Sequence, residues 1–153
     1  MQKYCLVGMR LENFCGINKA NISFLDNGQP RSKFTILGDT GTGKTTLMRA
    51  MRWVAYGDAQ GVDAFPIHWE GKAIDSQHVA IKLRLDTPNS TSEDDITFIR
   101  KRAKGQRHSS TQVEINQDTF TGKEAKTHFR DAFGISHSGK MGVIWLIQYI
   151  EMK

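Results

Sequence analysis

The chain has 153 residues, 39% hydrophobic and 24% charged, with a formal net charge of +5 and a pI near 9.3. That length holds one domain with a real core, and no apolar run approaches the roughly 20 residues a bilayer span needs. Two cysteines, Cys5 and Cys15, are too few for a disulfide scaffold; the histidines show no metal-ligand spacing, and the N-terminus lacks a signal peptide's apolar run and cleavage site. A cytoplasmic protein with no membrane partner is the expectation, and the basic balance permits nucleic-acid binding without demonstrating it.

Cys5, Val7, Met9 and Leu11 are apolar with mostly polar or small residues between them, the period-two alternation of a strand. A turn containing Gly16 follows, then a second alternating strand through Ala20, Ile22 and Phe24. "DNGQP" (Asp26 to Pro30) is turn chemistry. Lys33 to Leu37 is a short strand that runs straight into Gly38. Leu47, Met51, Val54 and Ala55 then fall at helical spacing, with Gly57 suited to the C-terminal cap.

Asp58 to Ala73 has no clear period and reads as a loop. Val79, Ile81, Leu83 and Leu85 alternate with polar or small residues, predicting a half-exposed strand. "TPNSTSEDD" (Thr87 to Asp95) reads as a solvated turn. Ile96 to Lys101 and Gln112 to Asn116 predict two more strands joined by a basic loop. Thr121 to Glu124 fits a capping box, followed by a helix through Ala125, Phe129, Ala132 and Phe133 that closes at Gly134. Val143 to Ile150 is apolar enough to be buried. No linker, internal repeat or second domain is evident, so residues 1–153 read as a single domain.

Gly38-Asp39-Thr40-Gly41-Thr42-Gly43-Lys44-Thr45 matches the phosphate-loop pattern GxxxxGK[ST] at every required position. Glycines let the backbone curl so that successive amides face an anion. The helix that starts near Lys44 aims its positive end at the same point. Lys44 supplies a flexible charge for the β- and γ-phosphates, and the Thr45 hydroxyl is placed to ligate Mg²⁺. The pattern makes Asp39, Thr40, Gly41, Thr42, Gly43, Lys44, Thr45 and Thr46 the nucleotide-binding residues, with ATP and Mg²⁺ as the cofactors. A second GxxxxGK spacing, Gly134 to Met141, follows a helix rather than a strand and lacks the hydroxyl; it reads as a cap and loop.

A phosphate-loop hydrolase normally needs a second acidic site, an apolar strand ending in Asp. No run of four apolar residues followed by an acid occurs in this chain. Either the acid comes from another segment or the protein only binds nucleotide.

The stretch "GKTTLMRAMRWVAYG" resembles the first motif of SMC-like ATPases, which often reads close to GKTTLLEAIRWALYG. That group takes in chromosome SMC proteins, SbcC-type break-repair ATPases, RecF-like proteins and several phage-defence ATPases. "MRLENFCGINKANISF" (Met9 to Phe24) looks like their opening strand pair, and "GVIWLIQYIE" offers Gln148 at the family's Q-loop position. The family's loop commonly has asparagine where Thr40 stands, and arginine where Cys15 stands.

The resemblance implies an α/β fold: the N-terminal lobe of an ABC-type phosphate-loop ATPase head, with a mixed or antiparallel sheet wrapped on the phosphate-loop helix. It assigns catalytic roles to Lys44 and Gln148, with Thr45 and Gln148 at the metal. It also implies a C-terminal lobe carrying the signature motif and the acidic strand, from the same or a companion chain. A second ATPase head, double-stranded DNA and a nuclease subunit are the remaining partners, and nucleoid association is expected in a bacterium. ATP would drive head engagement, and hydrolysis would separate the heads.

The run Arg100 to His108 is a candidate DNA-backbone contact in one hairpin loop, through Lys101, Arg102, Lys104 and Arg107. A solvated turn explains the same run. Two other functions keep the loop but change the outcome: a stand-alone nucleotide-binding regulatory module, and a phosphate-loop phosphotransferase. A purely structural protein with an inert loop is a third, against which Lys44 and Thr45 argue together.

Overall fold

The computed structural model describes residues 4–31, 34–57, 68–69, 72–133 and 150–152. Six antiparallel strands form its principal sheet, in the order β11-β10-β9-β8-β1-β2. These are β1 (Tyr4–Phe14), β2 (Ile17–Ser23), β8 (Ser76–Leu85), β9 (Ile96–Ala103), β10 (Ser110–Ile115) and β11 (Asp118–Thr121). Two helices, α1 (Lys44–Tyr56) and α2 (Gly122–Phe133), share one apolar core with it. A small hairpin pairs β3 (Leu25–Asp26) with β4 (Gln29–Pro30) through Asn27 and Gly28, both at positive φ. That is the backbone an Asn-Gly hairpin turn demands. A second short hairpin joins β6 (His68–Trp69) to β7 (Lys72–Ala73), inside the segment that reads as a loop in the sequence. Apart from the main sheet, β5 (Phe34–Ile36) pairs in parallel with β12 (Ile150–Met152) and delivers the chain to the glycine loop.

The core follows from strand register. Ile22, Met9, Ile81, Phe98, Val113 and Phe120 stand opposite one another on six successive strands. They present one apolar row to the helices. From α1, Ala50, Met51, Trp53 and Val54 meet this face; from α2, Ala125, Phe129 and Phe133 do. Phe98 takes Phe129 and Phe133 edge-on, each with ring centroids 5.0 Å away. Phe14 lies 5.5 Å from Trp53, so the far end of β1 grips the C-terminal part of α1.

Further details differ from the sequence reading. A bulge between Leu6 and Gly8 shifts the phase of β1. Leu6 therefore joins Met9 and Leu11 in the core, while Cys5 and Val7 are buried outside that cluster. An inserted residue reverses which face later side chains take, and composition alone does not mark where it falls.

Second, β8 is not a half-exposed strand. It lies between β1 and β9; Lys82 is exposed, but Ala80 and Arg84 on the same face are buried, as is Gln77 on the core face. Third, Asp95 is not part of a solvated turn. Its carboxylate receives Arg84 Nε at 2.6 Å and Nη2 at 3.2 Å, with both side chains at least nine-tenths buried. The solvated part ends with Asp94, which completes a capping box with Thr91 around the short 3-10 turn Ser92–Asp94.

Fourth, the basic run does not sit in one loop. Arg100 to Ala103 continue β9, so alternation sends Lys101 to the face opposite Arg100 and Arg102. Arg100 is buried, and Arg102 donates to Gln77 Oε1 at 3.1 Å. Lys104 and Arg107 remain exposed in the β9–β10 connection. The strand β11 has no counterpart in the sequence reading; it returns through Asn116 and Gln117, both at positive φ. Thr121 closes β11 and α2 begins at the next residue. The expected helix end at Gly134, the second GxxxxGK spacing and the apolar segment up to Gln148 lie outside the described residues.

Removing one member of a buried, two-pronged ion pair leaves the other charge without compensation. Asp95→Ala is therefore expected to cost about 3 kcal/mol of stability, measurable by urea denaturation, whereas the neighbouring exposed Glu93→Ala should change the midpoint little.

Candidate nucleotide-binding site

The loop between β5 and α1 is built by its own backbone. The Asp39 carbonyl accepts Thr42 N–H at 3.3 Å and the Thr42 hydroxyl at 2.8 Å, which closes a tight turn over Asp39 to Thr42. Gly41 and Gly43 sit at φ 88 and 95, in the left-handed region. That conformation favours glycine, because a β-carbon there meets the following carbonyl. At Gly38 the constraint is space instead: an added Cβ would lie 2.7 Å from Thr42 Oγ1.

Lys44 begins the helix and folds back over this turn. Its Nζ donates to the carbonyl oxygens of Gly38 and, at 2.9 Å, Asp39. An ammonium group with three donors is thus held above the curl by neutral acceptors, ready to exchange them for anionic ones. The helix N-terminus is open to the same ligand. Gly43 offers no side-chain cap, and no acidic residue stands in the first turn. Most helices fill those positions with Ser, Thr, Asp or Glu, which would compete with an anion for the free amides.

Thr45 is exposed beside Lys44, and Thr46 is half-buried. Asp39, Thr40, Gly41 and Thr42 are exposed along the loop. The eight candidate residues therefore form one continuous surface around the start of α1. Such a curl of amides, one lysine and one hydroxyl suits a polyphosphate with a bound hard cation. Gln148, the other predicted metal residue, lies outside the described residues. Among the described residues, no group of three or more His, Cys, Asp or Glu side chains is placed to hold a metal ion.

The turn between β1 and β2 flanks the loop. Ile17 Cδ1 would touch a β-carbon at Gly43 at 3.8 Å. Sequence reasoning does not find this contact, because it joins two segments far apart in the chain. Cys15 in that turn has φ 52 and is half-buried. Burial pushes its thiol up from the ordinary value, and the Arg49 guanidinium opposes this only in part. It is consequently a protonated, weakly nucleophilic thiol at neutral pH.

A family model described as an AAA domain matches residues 9–144, a span that contains the whole loop and both helices. The chain belongs to the AAA domain family. Solved structures agree with this AAA domain at the level of the fold. An SMC head bound to the C-winged helix domain of ScpA superposes with a TM-score of 0.59 at 20% identity, over 85% of this chain and 40% of that one. A structure from work on ATP-driven dimerization and DNA stimulated activation of SMC ATPases gives 0.58 at 19% identity, over 89% and 83%.

The recombination mediator protein RecF, as RecF-ATP, gives 0.51 at 13% identity, over 78% of this chain and 28% of that one. The chain thus spans well under half of the first and third of these proteins. No curated protein sequence matches it. The resemblance to SMC-like heads seen in the sequence is borne out in the fold, and the expected architecture with it. Among the described residues, no helix is long and apolar enough to cross a membrane.

Lys44→Ala removes the charge held over the curl. It is expected to weaken binding of ATP–Mg²⁺ by about 10- to 100-fold, the size of a lost charge-assisted hydrogen bond. Calorimetric titration checks this, with the melting temperature expected to stay close to wild type because the side chain packs on an exposed loop.

Proposed function

We propose that this chain is the ATP-binding N-terminal lobe of an SMC-like ATPase head that works on DNA, with residues 1–153 forming a single domain. The observation that carries the reading is the Lys44 ammonium seated on the loop carbonyls, over a helix start free of acidic residues. Support comes from the AAA domain match and from the shared fold of the SMC and RecF structures.

In this reading Lys44 exchanges the Gly38 and Asp39 carbonyls for β- and γ-phosphate oxygens. The amides from Gly41 to Thr46 take the remaining phosphate oxygens. The Thr45 hydroxyl would hold Mg²⁺, and Gln148 would reach the same ion and position water. The metal supplies charge neutralisation across the phosphates. The residues described here hold the triphosphate but supply no acid to activate water, so efficient hydrolysis requires a C-terminal lobe from the same or a companion chain. A second head then covers the γ-phosphate. Head engagement and release follow from differing contacts with the ATP and ADP states. A soluble cytoplasmic setting, and a nuclease subunit as a further partner, accompany this reading.

ATPase activity measured on the chain alone, and again with a supplied C-terminal lobe, tests the division of labour. Activity should rise by at least about 100-fold on adding the lobe, in line with the loss from removing transition-state donors. Strong turnover by the chain alone would overturn the split site. Tight binding that no lobe stimulates would favour the stand-alone regulatory module.

The DNA contact of this reading falls on Lys101, Lys104 and Arg107, which are exposed, with Arg102 half-buried beside them. Neutralising the three exposed residues is expected to lower the slope of log K against log salt by up to about 3. Fluorescence anisotropy with a short duplex reads this, and an unchanged slope rejects the contact.

A further inference from the structure

Arg100 belongs by sequence to the basic run, yet its exposure is only 9%. It stands in the row Ala20, Leu11, Val79, Arg100, Thr111 across the sheet, where a hydrophobic residue would fit. Burying a guanidinium is costly unless its donors are matched. Here Nε donates to the Val54 carbonyl at 2.9 Å and Nη1 to Ser109 Oγ at 3.1 Å, with Cζ 5.4 Å above the Phe129 ring.

Val54 lies in the last turn of α1, where carbonyls have no intrahelical partner. The helix carries no basic residue in that turn. The positive charge that a helix C-terminus favours therefore comes from β9. Gly57 completes the arrangement. Its φ is 75, its N–H caps the Trp53 carbonyl, and an added Cβ would lie 2.9 Å from Arg100 Nη1 and 3.3 Å from Cζ. The capping glycine is needed both for its backbone and for the room it leaves the guanidinium.

The other end of the same helix is the phosphate curl. The thirteen residues of α1, Lys44 to Tyr56, form a rigid rod about 20 Å long. The Val54 carbonyl that Arg100 holds lies about 15 Å along the helix from Lys44, far beyond hydrogen-bond reach, so the guanidinium does not contact the phosphates themselves. What the rod transmits is position: a shift at Val54 displaces the amides of the first turn.

We propose that Arg100 is a positioning residue for the phosphate loop, touching neither nucleotide nor DNA but fixing the far end of α1 through Val54. Because Ser109 precedes β10, the same side chain also ties the mouth of the basic β9–β10 hairpin to the helix. The proposal rests on the nucleotide reading of the loop.

The test is equilibrium binding of a fluorescent ATP analogue with Mg²⁺ to the full chain, far below the melting temperature of each variant. Arg100→Gln is expected to weaken binding by about tenfold, since sites held even 1 Å out of place lose this much or more. Arg100→Lys keeps one donor but loses the planar fork that holds Val54 and Ser109 together, so it should weaken binding by about threefold, a smaller version of the same effect. Val113→Ala, a core change remote from α1, should alter the affinity less than about twofold despite its cost in stability. Amide shifts of Gly41 to Thr46 should move in both Arg100 variants and stay put in Val113→Ala. Should Arg100→Gln fail to fold, Arg100→Lys decides alone: its loop amides must move.

Wild-type affinity in folded Arg100→Gln, still loop amides in Arg100→Lys, or an equal loss in Val113→Ala would each overturn the proposal. Failure of the wild-type chain to bind the analogue would remove the nucleotide reading and this proposal together.

Discussion

The structure depends on one buried contact: a single face of α1 pressed against the antiparallel sheet. Ala50, Met51, Trp53 and Val54 are almost fully buried there, with Trp53 against Phe14. Each large side chain so buried contributes roughly 1.5–3 kcal/mol. That sum fixes the helix, and the helix fixes where its first turn points. The glycine loop needs this support. Its own hydrogen bonds are few and exposed, so without the anchored helix the curl of amides would have no set direction.

The helix is also electrostatically unfinished at both ends. Its first turn has no acid and its last turn no base. A soluble helix usually satisfies both from its own sequence. Here the N-terminal field is left for an external anion, while the C-terminal carbonyls are met by a buried arginine from a neighbouring strand. The N-terminal end is thus left open, and the C-terminal end is held from the sheet. The sheet carries little chemistry in this arrangement; it is the frame on which α1 is mounted.

β5 stands apart from that frame. It pairs only briefly with β12 among the described residues, and Leu37 at its exit is 73% exposed, a large apolar side chain beside the loop.

Much of the site was legible because it is local. Gly38 to Thr45 lie within one turn of backbone, and each glycine answers to a φ or a clearance within the same few residues. The strands β1, β2, β9 and β10 and both helices were legible from their periods, and the Asn27-Gly28 turn from its residue types. Asn116 and Gln117 turn as tightly without a glycine, so β11 left too weak a signal.

What sequence could not give were properties that depend on neighbours in space. The bulge in β1 is decided by pairing on both sides. The depth of β8 comes from its central place in the sheet, and Asp95 is buried because Arg84 lies on the adjacent strand. Arg100 reads as a surface charge until the fold sets it under α1. Residue types and short-range backbone geometry are written in the chain and fixed the phosphate curl. Whether a charge is solvated or buried is set by which strands end up side by side, and only the tertiary structure decided that.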